Sequence, residues 1–313
     1  MNPLPPDYDV GTTMLQESCM KRIELRVLGK SIGEMPGALY KGNVGHAALE
    51  QLHREPAETW CEATVERCVA QGVRETEQRA EDENRPMTEA VVKDQQDTSK
   101  ELTALINHYV ERRRDYIAKS EVLGVEVPIR WKEELDGVAG GPVSFASHVD
   151  LLYRDPDGQL VIADFKFKAE SPTMAYLSRS LQLGAYFIAC AYGRVMLDQG
   201  GITERWVSLG EYAEAELIDM LQFKPYNRAT MVVDKETGEE IRYSKGDVRP
   251  LRNIIKRFSF LPEKENTIKS RIAERVLLMR AGIWPANPDP LGCHFCDVRM
   301  ACDNFNSMKG IES

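Results

Sequence analysis

Ser147-His148-Val149-Asp150-Leu151-Leu152-Tyr153-Arg154-Asp155-Pro156-Asp157-Gly158-Gln159-Leu160-Val161-Ile162-Ala163-Asp164-Phe165-Lys166 is the stretch that decides the fold. Two apolar runs flank Pro156-Asp157-Gly158, which fits a three-residue hairpin loop: a type I turn followed by Gly158 in the left-handed conformation. If Asp155 pairs with Gln159, the register sets Asp150 opposite Asp164 and His148 opposite Lys166. Side chains alternate along a strand, so Asp164 and Lys166 share one face while Ala163, Phe165 and Phe167 share the other. Like charges directly opposite each other destabilise a strand pair, and uncompensated charge on a half-buried face is costly. A bound divalent cation removes both penalties; magnesium and manganese prefer carboxylate oxygens and keep waters for chemistry. The plainer alternative is a solvated face with a cross-strand Asp–Lys pair, for which Ile162, Leu152 and a facing helix leave little room.

Around this hairpin, Val122–Trp131, Val143–Tyr153, Gln159–Phe167 and Ile202–Leu209 read as strands, being short, β-branched and aromatic, and bounded by Gly, Pro and Asp. Thr173–Met196 has helical spacing, as does a segment running from Asn43 past Val69. Residues 72–100, charged and holding Pro86, read as a solvated helical or charged insertion, followed by a helix over Lys100–Lys119. A hairpin near Glu236-Thr237-Gly238 and a helix over Glu265–Arg280 complete the chain. The expected class is α/β, a mixed central sheet flanked by helices.

The 313 residues, 42% hydrophobic and 28% charged, suit one large domain and exclude disorder, collagen and coiled coil. Apolar stretches such as Leu183–Ala191 are far shorter than the roughly 20 residues of a membrane span. The first residues carry no basic and apolar segments of a secretory signal, so the chain reads as cytoplasmic, with no membrane partner. A formal charge of −9 argues against coating nucleic acid with the whole surface, though not against a local basic cleft. Seven cysteines in such a compartment favour metal or cluster binding over disulfides.

The strand carrying Asp150, followed by Asp164-Phe165-Lys166, resembles the PD-(D/E)xK nuclease core, and its surroundings resemble the RecB-like branch. A Gly-x-x-x-His element precedes the core as Gly42-Asn43-Val44-Gly45-His46, and a Gln-x-x-x-Tyr element follows as Gln182-Leu183-Gly184-Ala185-Tyr186, in the family order. The resemblance implies a restriction-endonuclease-like fold over residues 1–313, with its core at about 42–255. It implies phosphodiester hydrolysis with Mg2+ or Mn2+ on His46, Asp150 and Asp164, and Lys166 orienting or deprotonating water or stabilising the phosphate. Gln182 and Tyr186, one helical turn apart and joined by Arg179, would position that lysine and the DNA backbone. Glu126 matches an acidic position ahead of the core in many relatives, although a strand glutamate also reads as an exposed face. Phe167 stands where Thr is common. His53, His108 and His294 have no such support.

Cys293, Cys296 and Cys302 have the spacing of a shared centre that lacks a fourth ligand, for which Cys19 is the best candidate. Iron-sulfur members of the RecB-like branch, among them CRISPR-associated and bacterial recombination nucleases, carry one cysteine before the core and three after it. The resemblance therefore implies a 4Fe-4S cluster on Cys19, Cys293, Cys296 and Cys302, in a module formed by about 15–30 and 285–305. Zinc is the rival occupant, with His294 able to replace one sulfur. Cys61, Cys68 and Cys190 read as buried small hydrophobes. Lys168, Arg179, Lys224, Arg228, Lys256 and Arg257 are candidates for the substrate path. The expected activity is a DNA exonuclease on single-stranded ends, five-prime to three-prime, in recombination or repair, with recombination or adaptation proteins as partners. An inactive scaffold or an RNA-directed nuclease is the alternative.

Overall fold

In the computed structural model, which describes residues 19–28, 35, 37–83, 85–135, 138–168, 180–198, 204–221, 229–233, 240–244, 253–287, 296 and 301–302, the hairpin closes as its residues require. Asp155 N donates to the Gln159 carbonyl at 3.0 Å, Gly158 N donates to the Asp155 carbonyl at 2.8 Å, and Gly158 has φ 81°. The strands it joins, β2 (Val143–Arg154) and β3 (Leu160–Lys168), take the expected register from Arg154↔Leu160 to Leu151↔Ala163.

Four helices precede them: α1 (Met20–Val27), α2 (Gly37–His53), α3 (Glu62–Asp82) and α4 (Glu89–Ile117). Strand β1 (Glu121–Glu133) follows α4; after β3 come α5 (Leu181–Tyr192), β4 (Arg194–Asp198), β5 (Glu204–Val207) and β6 (Glu214–Leu221). β7 (Thr230–Val233) and β8 (Glu240–Tyr243) form a separate ribbon, and β9 (Asn253–Ser259) and α6 (Glu265–Arg280) end the fold. The main sheet has seven strands in the order β5-β4-β1-β2-β3-β6-β9, antiparallel except where β3 pairs with β6. This is the expected mixed sheet flanked by helices. Helix α5 is apolar on every side and buried, so it lies between the sheet and α6. The opposite sheet face packs Leu151, Tyr153, Val161 and Phe165 against Val44, Leu49, Leu105 and Tyr109 of α2–α4.

Several expectations need correction. The first helix is two, interrupted around Pro56. The polar run 72–100 is largely helical, as expected, but belongs to the fold rather than forming an excursion: it completes α3 and begins α4, whose N-cap Thr88 accepts from Val91 N at 3.2 Å. Gly72 is buried against α2, so closely that a Cβ there would stand 2.7 Å from the Val44 carbonyl oxygen. Helix α5 stops at Tyr192, where Gly193 turns extended at the C-cap, so close to β1 that a Cβ would stand 2.0 Å from the Arg130 carbonyl oxygen; Arg194–Asp198 is then a strand. Residues 173–179 of that expected helix lie outside the described residues. Strand β6 was missed because Glu-Ala-Glu-Leu-Ile-Asp-Met-Leu is made largely of helix formers, and pairing on both edges overrides that preference. Strand β9 was missed with it.

Candidate active site

The β2–β3 ladder stops at Leu151↔Ala163, one pair short of the two aspartates. There the strands part, and Asp150 Oδ2 accepts from Phe165 N at 2.7 Å. The expected pairings of Asp150 with Asp164 and of His148 with Lys166 are therefore replaced by a side-chain clasp. Strand β1 breaks at the same level. Val125 and Val127 pair with Leu151 and Val149, while Glu126 between them has φ 49°. Val125 and Leu151 pack toward α2–α4, whereas Val127 and Val149 pack toward α5. Both strands thus change face at one level, where Glu126 and Asp150 sit.

Helix α2 delivers His46 to this break, with Nδ1 3.3 Å from Asp150 Oδ2. Gly45 makes the approach possible, because a Cβ there would stand 2.4 Å from the Phe167 ring. Donor atoms of His46, Glu126 and Asp150 all lie within 4.8 Å of one another. Asp164 stands outside this group: Lys166 Nζ donates to its Oδ1 at 2.8 Å, and Gln182 Nε2 lies 3.4 Å from the same oxygen. Gln182 Nε2 also donates to the Tyr186 hydroxyl at 2.9 Å, which donates to the His148 carbonyl at 2.9 Å. The two α5 side chains thereby tie β3 to β2 across the gap. Asp219 on β6, fully buried and in register with Lys166, adds a third acid near the ammonium.

Charge and burial compete at each group. Burial opposes protonation of His46, but the Asp150 carboxylate outweighs it and lifts the imidazole above its ordinary range. Burial raises Asp150, yet His46 and Lys166 together hold it below the usual carboxylate value. Asp164 is raised, by burial first and then by the Asp150 charge, against the pull of Lys166. Burial works against the Lys166 ammonium, but Asp164 and Asp150 keep its proton more firmly than usual. Glu126 is pushed up to about 7 by burial and by Asp150.

These residues fit a divalent cation. The donor set is two carboxylates and an imidazole, suited to magnesium or manganese. Asp164 Oδ2 is buried and its neighbour is the Lys166 ammonium, 2.8 Å away, so the carboxylate is ion-paired where it would face a cation. The side chains of His46 and Asp150 remain 32% and 17% exposed, which leaves access for water and substrate.

One site residue is underweighted in the sequence reading and one is absent from it. Glu126 ranked below the others because an exposed strand position explained it equally well; its left-handed backbone cannot be read from a glutamate. Asp219 lay in the unrecognised β6, where an acid inside Leu-Ile-Asp-Met-Leu was the available signal. Arg257 is not a free cation for substrate, since it pairs with Asp155 at 2.6 Å and also with Glu214. Arg179, Lys224 and Arg228 lie outside the described residues, as does the Lys168 side chain. Of the proposed cluster ligands, Cys19 receives a hydrogen bond from Asn287 N at 3.5 Å, and Lys21 N donates to the Pro285 carbonyl at 3.2 Å. Cys296 and Cys302 are half-buried, and Cys293 and His294 lie outside the described residues. Cys68 and Cys190 are buried, but Cys61 is exposed at the N-cap of α3, correcting its expected burial. Among the described residues, no helix is long and apolar enough to cross a membrane.

The family model described as the PD-(D/E)XK nuclease superfamily matches residues 17–303. No curated protein matches the chain. A solved structure titled "Crystal structure of SSO0001" is similar at 11% identity and a TM-score of 0.38, covering 95% of this chain and 87% of that one.

Proposed function

This chain belongs to the PD-(D/E)XK nuclease superfamily, and on that premise we propose that it is a metal-dependent DNA exonuclease acting on single-stranded ends, in recombination or repair. The observation that carries the proposal is the convergence of His46, Glu126 and Asp150 within 4.8 Å at the strand break, next to the Lys166–Asp164 pair. Nucleases of this superfamily typically use Mg2+ or Mn2+, for which His46, Glu126 and Asp150 are the nearest ligands and Asp164 a further carboxylate. Such an ion supplies positive charge at the scissile phosphate and acidifies water.

The remaining work falls to the chain's own side chains. Lys166, whose ammonium form Asp164 and Asp150 favour, stands where it can orient the nucleophile and stabilise phosphate charge. Gln182 and Tyr186 hold Asp164 and the His148 carbonyl, which keeps the lysine aimed. We extend the proposal to a 4Fe-4S cluster on Cys19, Cys293, Cys296 and Cys302, supported by the contact of Cys19 with Asn287.

The test is protein purified under nitrogen and incubated with manganese and end-labelled DNA, single- and double-stranded, beside Asp164→Ala. Wild type should release mononucleotides or short fragments from single strands, and the variant should be slower by at least about 100-fold. Equal degradation by both would refute the assigned site.

A further inference from the structure

Helices α2–α4 cover only part of their sheet face. Their packing partners are Val125 of β1 and Leu151 and Tyr153 at one end of β2, together with β3, β6 and Ile255 of β9. On β1, β2 and β4, beyond the Glu126–Asp150 break, this face carries Arg130, Lys132, His148 and Arg194, all exposed, among the half-buried Pro128, Ser144, Ala146 and Met196. Their neighbours Val127, Ile129, Trp131, Phe145 and Val195 point the other way, into the α5 core. The cations are also adjacent in register. Arg130 is directly opposite Arg194 on β4, and Lys132 lies two residues further along β1. Among the described residues, none of the three forms an ion pair. Directly opposed like charges cost stability, and a chain of net charge −9 has carboxylates to spare for neutralising them. Three neighbouring cations without an ion pair among the described residues are thus a feature that folding alone does not favour. The Arg130 guanidinium also lies over the Trp206 ring of β5, 3.9 Å from its centroid, which flattens this end of the strip.

The strip leads to the candidate centre. Arg130 pairs with Ala146, four residues before Asp150, or roughly 13 Å along the strand. His148 lies between them, and α2 borders the strip with His46 at its end.

We propose that this open half-face is the track along which single-stranded nucleic acid reaches the His46–Glu126–Asp150 centre, with phosphates on Arg130, Lys132 and Arg194 and an unpaired base against the Arg130–Trp206 stack. Phosphate complements the charge, and a planar stack serves bases that are not hidden in a duplex. The proposal rests on the nuclease reading.

Fluorescence anisotropy in EDTA separates the two. The probe is a labelled oligothymidine longer than one binding site of roughly 4 to 16 nucleotides. Arg130→Ser/Lys132→Ser/Arg194→Ser should bind at least about tenfold more weakly, and its slope of log affinity against log salt should fall by about 2, near 0.7 per lost contact. Lys132→Ser alone, the least disruptive change, should lower the slope by about 0.7. Arg54→Ser/Arg67→Ser/Arg114→Ser removes equal charge from the helical side and should bind as wild type. Asp164→Asn should bind as wild type and fail to cleave with manganese. If the strip variants bind and cleave as wild type while Asp164→Asn is inactive, the track is wrong and the nuclease reading stands. Equal weakening by the helical-side variant, or binding of duplex as tightly as single strand, also overturns the track. Wild type that neither binds nor cleaves overturns both.

Discussion

Glu126 combines a left-handed backbone with a carboxyl pushed up to about 7. Such a backbone costs a non-glycine residue on the order of 1 to 3 kcal/mol. Its unfolded value is near 4.5, so between 4.5 and about 7 the folded state holds a proton that the unfolded state releases. Stability of the metal-free protein therefore falls as pH rises through that window, and stays low above it. Glu126→Gln should remove this slope and be more stable than wild type at pH 8 by about 2 to 3 kcal/mol, the two converging at low pH in urea unfolding. The same variant should bind Mn2+ more weakly by calorimetry; unchanged affinity would exclude Glu126 as a ligand. For Lys166, held protonated by Asp164 and Asp150, Lys166→Met should lower kcat by about 100- to 1000-fold with manganese affinity little altered.

At the scale of elements, the site is assembled by how closely α2 lies on β3. Gly45 faces the Phe167 ring at distances that leave no room for a methyl group. Gly45→Ala should cost about 1 to 3 kcal/mol and lift His46 from its 3.3 Å contact with Asp150, so Mn2+ affinity should fall about tenfold. Adding Phe167→Leu should restore part of both, giving a coupling of about 0.5 to 3 kcal/mol in a double-mutant cycle. Additive losses would mean that the helix position does not set the ligand geometry. The Phe in place of the Thr common after the lysine thus acquires a packing reason, because its ring fills the space that Gly45 leaves.

Across the whole molecule, the start of α1 and residues 285–287 meet although Cys19 and Asn287 are 268 positions apart. Under the cluster proposal this contact is fastened by thiolates. Wild type purified without oxygen should then be brown, and Cys296→Ser should lose the colour and melt at lower temperature while the DNA site stays intact in the folded fraction. A colourless wild type holding one zinc per chain would reject iron in favour of zinc.

The hairpin register, the shared face of Asp164 and Lys166, and the limits of α6 were readable in sequence because each follows from contacts a few residues apart: a Pro-Asp-Gly turn, a two-residue alternation, a helical period. The resemblance to RecB-like motifs pointed to His46, Gln182 and Tyr186, and within the candidate site the same local logic marked Asp150, Asp164 and Lys166. It failed where the outcome depends on distant partners. The ladder stops before the aspartates because Asp150 takes the Phe165 amide, and Glu126 turns inward because two strands change face at one level. Asp219 comes beside Lys166 only when a helix-forming sequence is held as a strand between β3 and β9. Sequence alone determined which chemical groups are available and their spacing along the chain. Which of them share one charged pocket, and which cations of the sheet stay exposed among the described residues, was decided by tertiary packing, since backbone pairing and burial join residues that no local period relates.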